Sequence, residues 1–214
     1  MDRSNILAHR GCWSQGIEKN SFGALKRALD AGFGIETDLR DCNGTIVVSH
    51  DPPQGDVLSA GAFFELYSAC NSRSRLGLNI KADGLQDALK ALILHADIPI
   101  GNCFAFDMAV PDALGYIHKA FPTYTRLSEY ELTAPFLDLS VGVWVDNFTG
   151  SFSQVAAAER LLAEGNRVCI VSSELHNRDH IALWNEIADA GINKNPSLEL
   201  CTDIPEAAYQ FFSN

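Results

Sequence analysis

The chain has 214 residues, of which 47% are apolar and 20% are charged, a balance typical of a folded globular protein and not of a disordered chain. Sixteen Lys and Arg against 27 Asp and Glu give a formal net charge of −11. Because phosphate backbones and anionic membrane surfaces repel such a chain, we expect neither nucleic-acid binding nor membrane insertion, although a small cationic pocket can still hold a phosphate. The length predicts one domain over residues 1–214.

The cysteine pattern and the start of the chain predict a cellular setting. No C-x-x-C pair occurs, and three of the six cysteines lie in apolar, strand-like runs, where cysteine is usually a small buried hydrophobe. Neither a secretory leader nor an apolar run of membrane-spanning length is visible. We therefore expect a reduced, cytoplasmic protein without a disulfide framework or a structural metal.

Short β-like runs alternate with helical stretches along the chain. The predicted strands are residues 5–9, 34–40, 45–50, 76–81, 103–108, 123–127, 142–147, 168–173 and 198–202. The predicted helices are residues 22–31, 60–70, 85–95, 154–164, 181–190, one opened by Pro111 and one after Pro205.

This alternation builds a parallel sheet with helices outside. Segment 45–50 follows the turn-like residues 41–44, so we count it as an extension of the loop after the second strand, which leaves eight β-α units. The pattern thus favours an α/β fold of the (β/α)₈ TIM-barrel type, as one compact domain with short loops. An open, dinucleotide-binding sheet is the alternative, weakened because no G-x-G-x-x-G follows the first strand.

Two carboxylates lie in the second predicted strand. Glu36 and Asp38 are two residues apart, so both point to one face of the strand. A pair of this kind is more often a solvated face, but in a barrel strand the outer face packs against helices and neither face is solvated. Burial of both carboxylates requires a cation, and hard oxygen ligands suit Mg²⁺ or Ca²⁺.

Other polar residues follow the ends of the neighbouring strands, where the catalytic groups of such barrels lie. His9 ends the first strand, His50 ends the segment 45–50, and Asn79 and Lys81 share a face of the next strand. A single histidine at a strand end is more often structural. Two histidines beside a cation, however, suit general acid/base work on a phosphate ester.

The order and spacing of these segments resemble the glycerophosphodiester phosphodiesterases. The resemblance is dense over residues 6–51 and returns at 76–81 and 198–205. The segments that carry it are A-H-R-G at 8–11, N-S at 20–21, A-L-x-x-A at 24–28, G-x-x-I-E-T-D-L at 32–39, V-V-S-H-D at 47–51 and T-D-I-P at 202–205.

The resemblance implies a barrel that hydrolyses phosphodiesters with the help of one divalent cation. His9 and His50 are then the acid/base pair: a neighbouring hydroxyl attacks phosphorus, one histidine takes its proton and the other protonates the leaving alcohol. Water opens the resulting cyclic phosphate with the roles exchanged.

The resemblance also implies roles for the charged residues. Glu36 and Asp38 would hold the cation, and Arg10 would bind a non-bridging phosphate oxygen. Lys81 would neutralise the charge that develops on the phosphoryl group.

Two acidic residues of the family pattern are missing. Asn79 stands where the family usually has a metal-binding Glu, although its amide oxygen is still a ligand for a hard cation. Lys19 stands where the family usually has Glu, and Arg126 is a further cation at a strand end. These changes suggest a more anionic substrate, such as a diphosphate or nucleotide-type ester; the alternative is drift, with Lys19 pointing to solvent.

Later strand ends provide further pocket candidates. Trp144 and Asp146 alternate in one strand, and Trp144 either stacks on the substrate or packs against a helix. Glu174 and His176 lie where the family often has Trp-Thr-Val-Asn, which suggests a changed leaving group.

Three functions remain open at this point. The first is a metal-assisted phosphodiesterase with a small, soluble, anionic substrate. The second is a metal-independent, cyclising phosphodiester lyase, against which the retention of Glu36 and Asp38 speaks. The third is a non-catalytic barrel that binds a phosphate ligand, against which the two histidines speak.

Overall fold

The computed structural model describes residues 1–213 and contains nine strands and seven α-helices in that range. The strands are β1 (Ile6–His9), β2 (Gly34–Cys42), β3 (Thr45–Val48), β4 (Leu76–Ile80), β5 (Cys103–Phe106), β6 (Tyr124–Leu127), β7 (Gly142–Val145), β8 (Arg167–Val171) and β9 (Leu198–Thr202). The helices are α1 (Phe22–Asp30), α2 (Ala60–Ala69), α3 (Gln86–His95), α4 (Val110–His118), α5 (Gln154–Ala163), α6 (Ile181–Asp189) and α7 (Pro205–Ser213).

Eight strands are parallel and follow one another around a barrel in the order β5-β4-β2-β1-β9-β8-β7-β6, with β3 paired antiparallel to β2. The barrel is nearly closed: within residues 1–213, β5 and β6 meet at a single parallel bridge between Ala105 and Thr123. The predicted (β/α)₈ architecture is therefore confirmed, and segment 45–50 is indeed an excursion after the second strand. The connection from β6 to β7 carries a 3₁₀ turn at Leu137–Leu139 in place of a helix.

Several predicted strands run one or two residues too far at their carboxyl ends. β4, β5, β7 and β8 end before the polar residues that were assigned to them, and β3 ends at Val48, two residues before His50. The Ser49 hydroxyl donates to the carbonyl of Asp51 at 2.7 Å and bends the chain there. The prediction that His50 is the last residue of this strand is therefore wrong, because His50 lies in the loop after it.

Aromatic rings fill the inside of the barrel. Phe104 stacks on Tyr124 with ring centroids 3.8 Å apart, and Phe106 stacks on Trp144 at 4.0 Å. A glycine makes room for one of these stacks, because a Cβ at Gly142 would lie 2.5 Å from the Tyr124 ring. Trp144 thus packs inside the barrel, and the prediction that it packs against a helix is wrong.

A charged cluster closes the barrel at the amino-terminal ends of the strands. The carboxylate of Glu199 is fully buried and accepts hydrogen bonds from Arg75 Nε at 2.9 Å, Arg167 Nη2 at 2.7 Å and the Tyr124 hydroxyl at 2.9 Å. Every charged atom of Glu199 is therefore paired, as expected for a structural cluster at this face of the fold.

No helix within residues 1–213 is long and apolar enough to cross a membrane. Cys103, Cys169 and Cys201 are buried within strands, as their apolar surroundings predict.

Candidate active site

The end of β1 delivers His9 and Arg10 to the mouth of the barrel. His9 Nδ1 lies 2.6 Å from Asp203 Oδ1, at the end of β9, and its Nε2 lies 3.9 Å from Glu36 Oε2. Arg10 has a left-handed backbone with φ of 59°. Its N–H donates to the carbonyl of Glu36 at 2.8 Å, and its own carbonyl accepts from the N–H of Asn20 at 2.9 Å. These bonds hold a conformation that is unfavourable for an L-residue, and so fix the turn.

Three side chains contact the carboxylate of Asp203. Besides His9, it accepts hydrogen bonds from Trp13 Nε1 at 3.3 Å and from Lys19 Nζ at 3.2 Å. The Lys19 ammonium also lies 4.2 Å from the centre of the Trp13 ring. Burial opposes ionisation of Asp203, but the hydrogen bond from His9 and the charge of Lys19 outweigh it and lower the pKa of this carboxyl.

The prediction of a more anionic substrate depends on whether the positive charge of Lys19 is free to attract it. Lys19 is 36% exposed at its side chain, but its charge is engaged by Asp203. Asp203 itself lies in the T-D-I-P segment, so the sequence contained a signal for it, although no role was assigned there.

Glu36 and Asp38 are buried within β2, level with the carboxyl ends of the neighbouring strands β1 and β4. Glu36 is 1% exposed and Asp38 is 0% exposed. Asn79 Nδ2 donates to Glu36 Oε1 at 3.2 Å, and Asn20 Nδ2 donates to Asp38 Oδ2 at 2.9 Å. Arg10 Nε lies 2.9 Å from the same Asp38 oxygen, as an ion pair without the alignment of a hydrogen bond. Burial, and then the charge of Asp38, raise the pKa of Glu36 to about 7.

Three buried oxygens of this group have no hydrogen-bond partner in the described part of the chain: Glu36 Oε2, Asp38 Oδ1 and Asn79 Oδ1. Asp38 Oδ1 faces the Lys81 ammonium at 3.5 Å, but Glu36 Oε2 and Asn79 Oδ1, on adjacent strands, still require a donor or a cation, because buried polar atoms are normally paired. Two carboxylates and an amide fit one hard divalent cation. No group of three or more His, Cys, Asp or Glu side chains within residues 1–213 is arranged as a metal site, so a site with three protein ligands here would have to include the amide of Asn79.

A chain of alternating charges continues from β4 to β6. Lys81 Nζ lies 3.5 Å from Asp38 Oδ1 and donates to Asp107 Oδ2 at 3.0 Å. Arg126 pairs with Asp107 through Nη1 and with Glu131 Oε2 through Nε at 2.7 Å. Asp107 is not among the predicted site residues, because nothing in the local pattern around β5 shows that it faces two cations.

His50 approaches the mouth from the loop after β3. It is exposed, with 42% of its side chain accessible, and its Nδ1 lies 2.9 Å from the exposed carboxylate of Asp51. Arg40 donates to the carbonyl of His50 at 3.0 Å and so holds the loop against β2. His50 is therefore less constrained than His9, whose carboxylate partner is half-buried.

On the far side of the mouth, His176 Nε2 lies 2.7 Å from Asp146 Oδ1. Both residues were considered as pocket candidates, but their pairing could not be read from the sequence. Glu174 does not face them: it accepts from Ser172, Thr202 and the backbone N–H of Asp203, and so anchors the end of β9.

The cavity at the centre of the mouth has a volume of about 250 Å³. Asp38 lies beneath it against Arg10 and Lys81, and Lys19 lies in the adjoining groove with Arg10 and His50. The other eight predicted site residues line the cavity itself: His9, Arg10, Glu36, His50, Asn79, Lys81, Arg126 and Trp144. Asp107, Asp146 and His176 join them.

Solved structures share this fold along the whole chain. A candidate glycerophosphodiester phosphodiesterase from Galdieria sulphuraria is 17% identical, with a TM-score of 0.75 and coverage of 98% of both chains. The glycerophosphodiester phosphodiesterase of Agrobacterium tumefaciens C58 is 17% identical, with a TM-score of 0.68 and coverage of 98% of this chain and 99% of its own. A phosphodiesterase from Oleispira antarctica, in complex with the product sn-glycerol-3-phosphate, is 15% identical, with a TM-score of 0.68 and coverage of 98% and 97%.

The fold is that of solved glycerophosphodiester phosphodiesterases. The resemblance noted in the sequence is therefore confirmed at the level of the fold. No family model matches the chain, and no curated protein does either.

Proposed function

We propose that the protein is a phosphoric diester hydrolase that acts on a small glycerophosphodiester-like substrate. One observation carries the proposal: a histidine hydrogen-bonded to a carboxylate, two cationic side chains and three buried oxygens without a hydrogen-bond partner in the described residues lie in or directly beneath one cavity at the carboxyl ends of the strands. A purely structural mouth would leave these oxygens unsatisfied at a cost in stability. The shared fold and the sn-glycerol-3-phosphate bound by the Oleispira phosphodiesterase support the proposed hydrolase function.

The two histidines move the protons. Because Asp203 accepts the hydrogen bond from His9 Nδ1–H, it leaves Nε2 as the atom that takes or gives a proton in the cavity. The exposed His50 exchanges a proton with the other reacting oxygen, either that of the attacking hydroxyl or that of the leaving alcohol, as the family resemblance implies. A hydroxyl next to the phosphate attacks phosphorus as one histidine takes its proton and the other protonates the leaving alcohol; water then opens the cyclic phosphate.

The other residues bind the phosphoryl group. Arg10 and Lys81 contact its non-bridging oxygens and balance the charge that develops there. Glu36, Asp38 and Asn79 would hold one Mg²⁺ or Ca²⁺ ion, which supplies Lewis-acid stabilisation of the phosphoryl oxygens when bound.

The charge balance of the mouth favours an ordinary diester over a more anionic one. Each predicted cation already has a carboxylate partner: Arg10 faces Asp38, Lys19 faces Asp203, Lys81 faces Asp38 and Asp107, and Arg126 faces Asp107 and Glu131. With Arg10 and Lys81 assigned to the single phosphoryl group, the other predicted cations, Lys19 and Arg126, are neutralised by these carboxylates and add no surplus positive charge for a second phosphate or a carboxylate on the substrate. A reduced, cytoplasmic setting remains a prediction from the cysteine pattern.

The test is hydrolysis of glycerophosphocholine, whose glycerol hydroxyl can attack phosphorus, with Mg²⁺ or Ca²⁺ and with EDTA. We expect turnover that EDTA abolishes and that His9→Ala lowers by roughly 10² to 10⁴-fold, since a positioned proton-transfer group is worth about that much. His95→Ala, on the exposed end of α3, is the control that leaves the rate unchanged.

Two outcomes point to the other functions. Turnover that is insensitive to EDTA and stops at a cyclic phosphate indicates a metal-independent lyase. Absence of turnover with every diester, combined with measurable binding of glycerol phosphate, indicates a non-catalytic phosphate-binding barrel.

A further inference from the structure

A second histidine–carboxylate pair faces the cavity. Asp146 follows β7 directly, and His176 is the last residue of the 3₁₀ turn Ser173–His176 after β8. The side chains are 22% and 12% exposed for His176 and Asp146, and both line the cavity. The ring of Phe148 lies 5.0 Å from the ring of His176 and covers one side of it.

The strand order places this pair across the barrel from the phosphoryl-binding residues. β7 is four strands away from β2 in either direction around the barrel, and β8 is four strands away from β4. Asp146 therefore stands opposite Glu36 and Asp38, and His176 stands opposite Asn79. When a phosphoryl group is held at the β2–β4 side, the alcohol portion of the ester extends across the cavity toward His176.

The hydrogen bonds of the pair leave one ring nitrogen available. Asp146 Oδ1 accepts from His176 Nε2 at 2.7 Å and from the N–H of Asn147 at 2.7 Å. Within residues 1–213, His176 Nδ1 has no hydrogen-bond partner. A carboxylate at Nε2 fixes the tautomer in which Nε2 carries the proton, so the neutral ring offers Nδ1 as an acceptor.

Apolar residues accompany the pair on the β7–β8 side of the cavity. Trp144 of β7, Val171 at the end of β8 and Leu175 beside His176 line the cavity, as does Phe148, of which 40% is exposed. A few polar groups among apolar side chains are the arrangement by which pockets orient an otherwise carbon-rich ligand. A hydroxyl group is the donor that matches His176 Nδ1.

We propose that His176 Nδ1 accepts a hydrogen bond from a hydroxyl of the substrate's alcohol portion, so that this half of the cavity selects polyol esters. His176 is the binding residue, and Asp146 is a positioning residue that sets its tautomer and ring orientation. The inference rests on the proposed function, because the phosphoryl site on the β2–β4 side is what orients the substrate.

The experiment measures dissociation constants by calorimetry for sn-glycerol 3-phosphate and for propyl phosphate, which lacks the hydroxyls. Wild type should prefer glycerol 3-phosphate. His176→Leu should weaken that ligand by about three- to tenfold, the range for one neutral hydrogen bond, and leave propyl phosphate unchanged. His176→Asn retains an acceptor oxygen and should keep part of the preference; His95→Leu, on an exposed position, should keep all of it.

Asp146→Asn provides a second variant in case His176→Leu does not fold. It keeps the side-chain volume but no longer fixes the histidine tautomer, so it should lower the preference for glycerol 3-phosphate by a smaller factor. Equal losses for both ligands, or no loss for either, would overturn the proposal. So would a fall of roughly 10²-fold or more in kcat for glycerophosphocholine in His176→Leu, because the loss of one binding hydrogen bond does not account for it and such a loss indicates proton transfer.

Binding and turnover separate this proposal from the proposed function. A wild type that hydrolyses no diester, but whose ligand preference collapses in His176→Leu, refutes only the function. A wild type that hydrolyses diesters, with a preference unmoved in His176→Leu, refutes only the role of His176. Absence of binding of both phosphates refutes both.

Discussion

The barrel buries two glutamates at its opposite ends, and they differ in how completely they are paired. Glu199, at the amino-terminal ends of the strands, is 0% exposed and accepts from Arg75, Arg167 and the hydroxyl of Tyr124. Glu36, at the carboxyl ends, is 1% exposed and accepts one hydrogen bond, from Asn79. Its second oxygen has no hydrogen-bond partner in the described residues.

The difference separates a structural charge from a functional one. Two cations and a hydroxyl compensate the desolvation of Glu199 within the protein itself. Around Glu36 the nearest carboxylate, Asp38, adds repulsion, and the closest basic atom is His9 Nε2 at 3.9 Å. Compensation of Glu36 must therefore come from a proton or from a bound cation.

The largest expected effect is on stability at the base of the barrel. Glu199→Gln leaves Arg75 and Arg167 beside a neutral amide, and we expect it to lower the free energy of unfolding by about 3 kcal/mol, the lower end for a broken buried pair because Arg167 is partly exposed. Urea unfolding measures the loss.

Glu36→Gln is the matched control for that measurement, with the same substitution at the opposite end. It removes an uncompensated charge, so the metal-free protein should keep or gain stability. Equal losses at the two positions would contradict the comparison.

The second prediction concerns the cation at the mouth. Mg²⁺ or Ca²⁺ at a hundredfold excess over its dissociation constant should stabilise the native protein by about 2.7 kcal/mol, seen as a rise in Tm. The double variant Glu36→Gln with Asp38→Asn should lose this gain. Glu65→Gln with Asp189→Asn, both exposed, should retain it. A Tm that does not respond to either metal in wild type would show that the oxygens are not a cation site.

The barrel and half of the site follow from local sequence. The burial of Glu36 and Asp38 follows from a period of two in a strand whose outer face packs against helices. His9 lies at a strand end, where parallel strands converge. These predictions succeed because each depends only on the position of a residue within one strand and on which face of that strand is buried.

The pairings at the mouth could not be predicted, because they join residues far apart in the chain. Asp203 contacts His9 across 194 positions, and Asp146 contacts His176 across 30. Each contact depends on the register of neighbouring strands and on the loop that follows the strand, which periodicity does not specify. The misplacement of His50 has the same origin, since its loop leaves the strand two residues before it.

The third prediction is the pH dependence of the mouth in the metal-free protein. The pKa of Glu36 is raised to about 7 from 4.5 by burial and by Asp38. Between these values the folded state holds more protons than the unfolded state, so stability falls as pH rises through this window and levels off above about 7. In EDTA, wild type should lose roughly 2 to 3 kcal/mol relative to Glu36→Gln over this range.

A saturating concentration of the cation provides a check on this dependence of stability on pH. Metal binding requires the deprotonated carboxylate, so the loss of stability with rising pH should disappear or reverse when Mg²⁺ or Ca²⁺ is bound. A slope that is the same in Glu36→Gln would assign it to other groups.

The smallest expected effect tests the missing third carboxylate. Asn79→Glu replaces a neutral ligand by a charged one, and affinity for a hard cation rises with the charge of its ligands. We expect the dissociation constant for the divalent cation to fall about tenfold, equivalent to roughly 1.4 kcal/mol. Lys19→Glu is a poorer probe, because it would place a carboxylate against Asp203 and disturb His9.

Asn79→Gln is the control for the last measurement, since Gln has the length of Glu without its charge. In EDTA, Asn79→Glu should be less stable than Asn79→Gln, because a third buried carboxylate joins Glu36 and Asp38; with the cation bound, the order should reverse. This reversal cannot arise from packing, since the two side chains have nearly the same volume. Identical metal affinities in the two variants would place Asn79 outside the cation site, and its unpaired oxygen would then require a substrate donor instead.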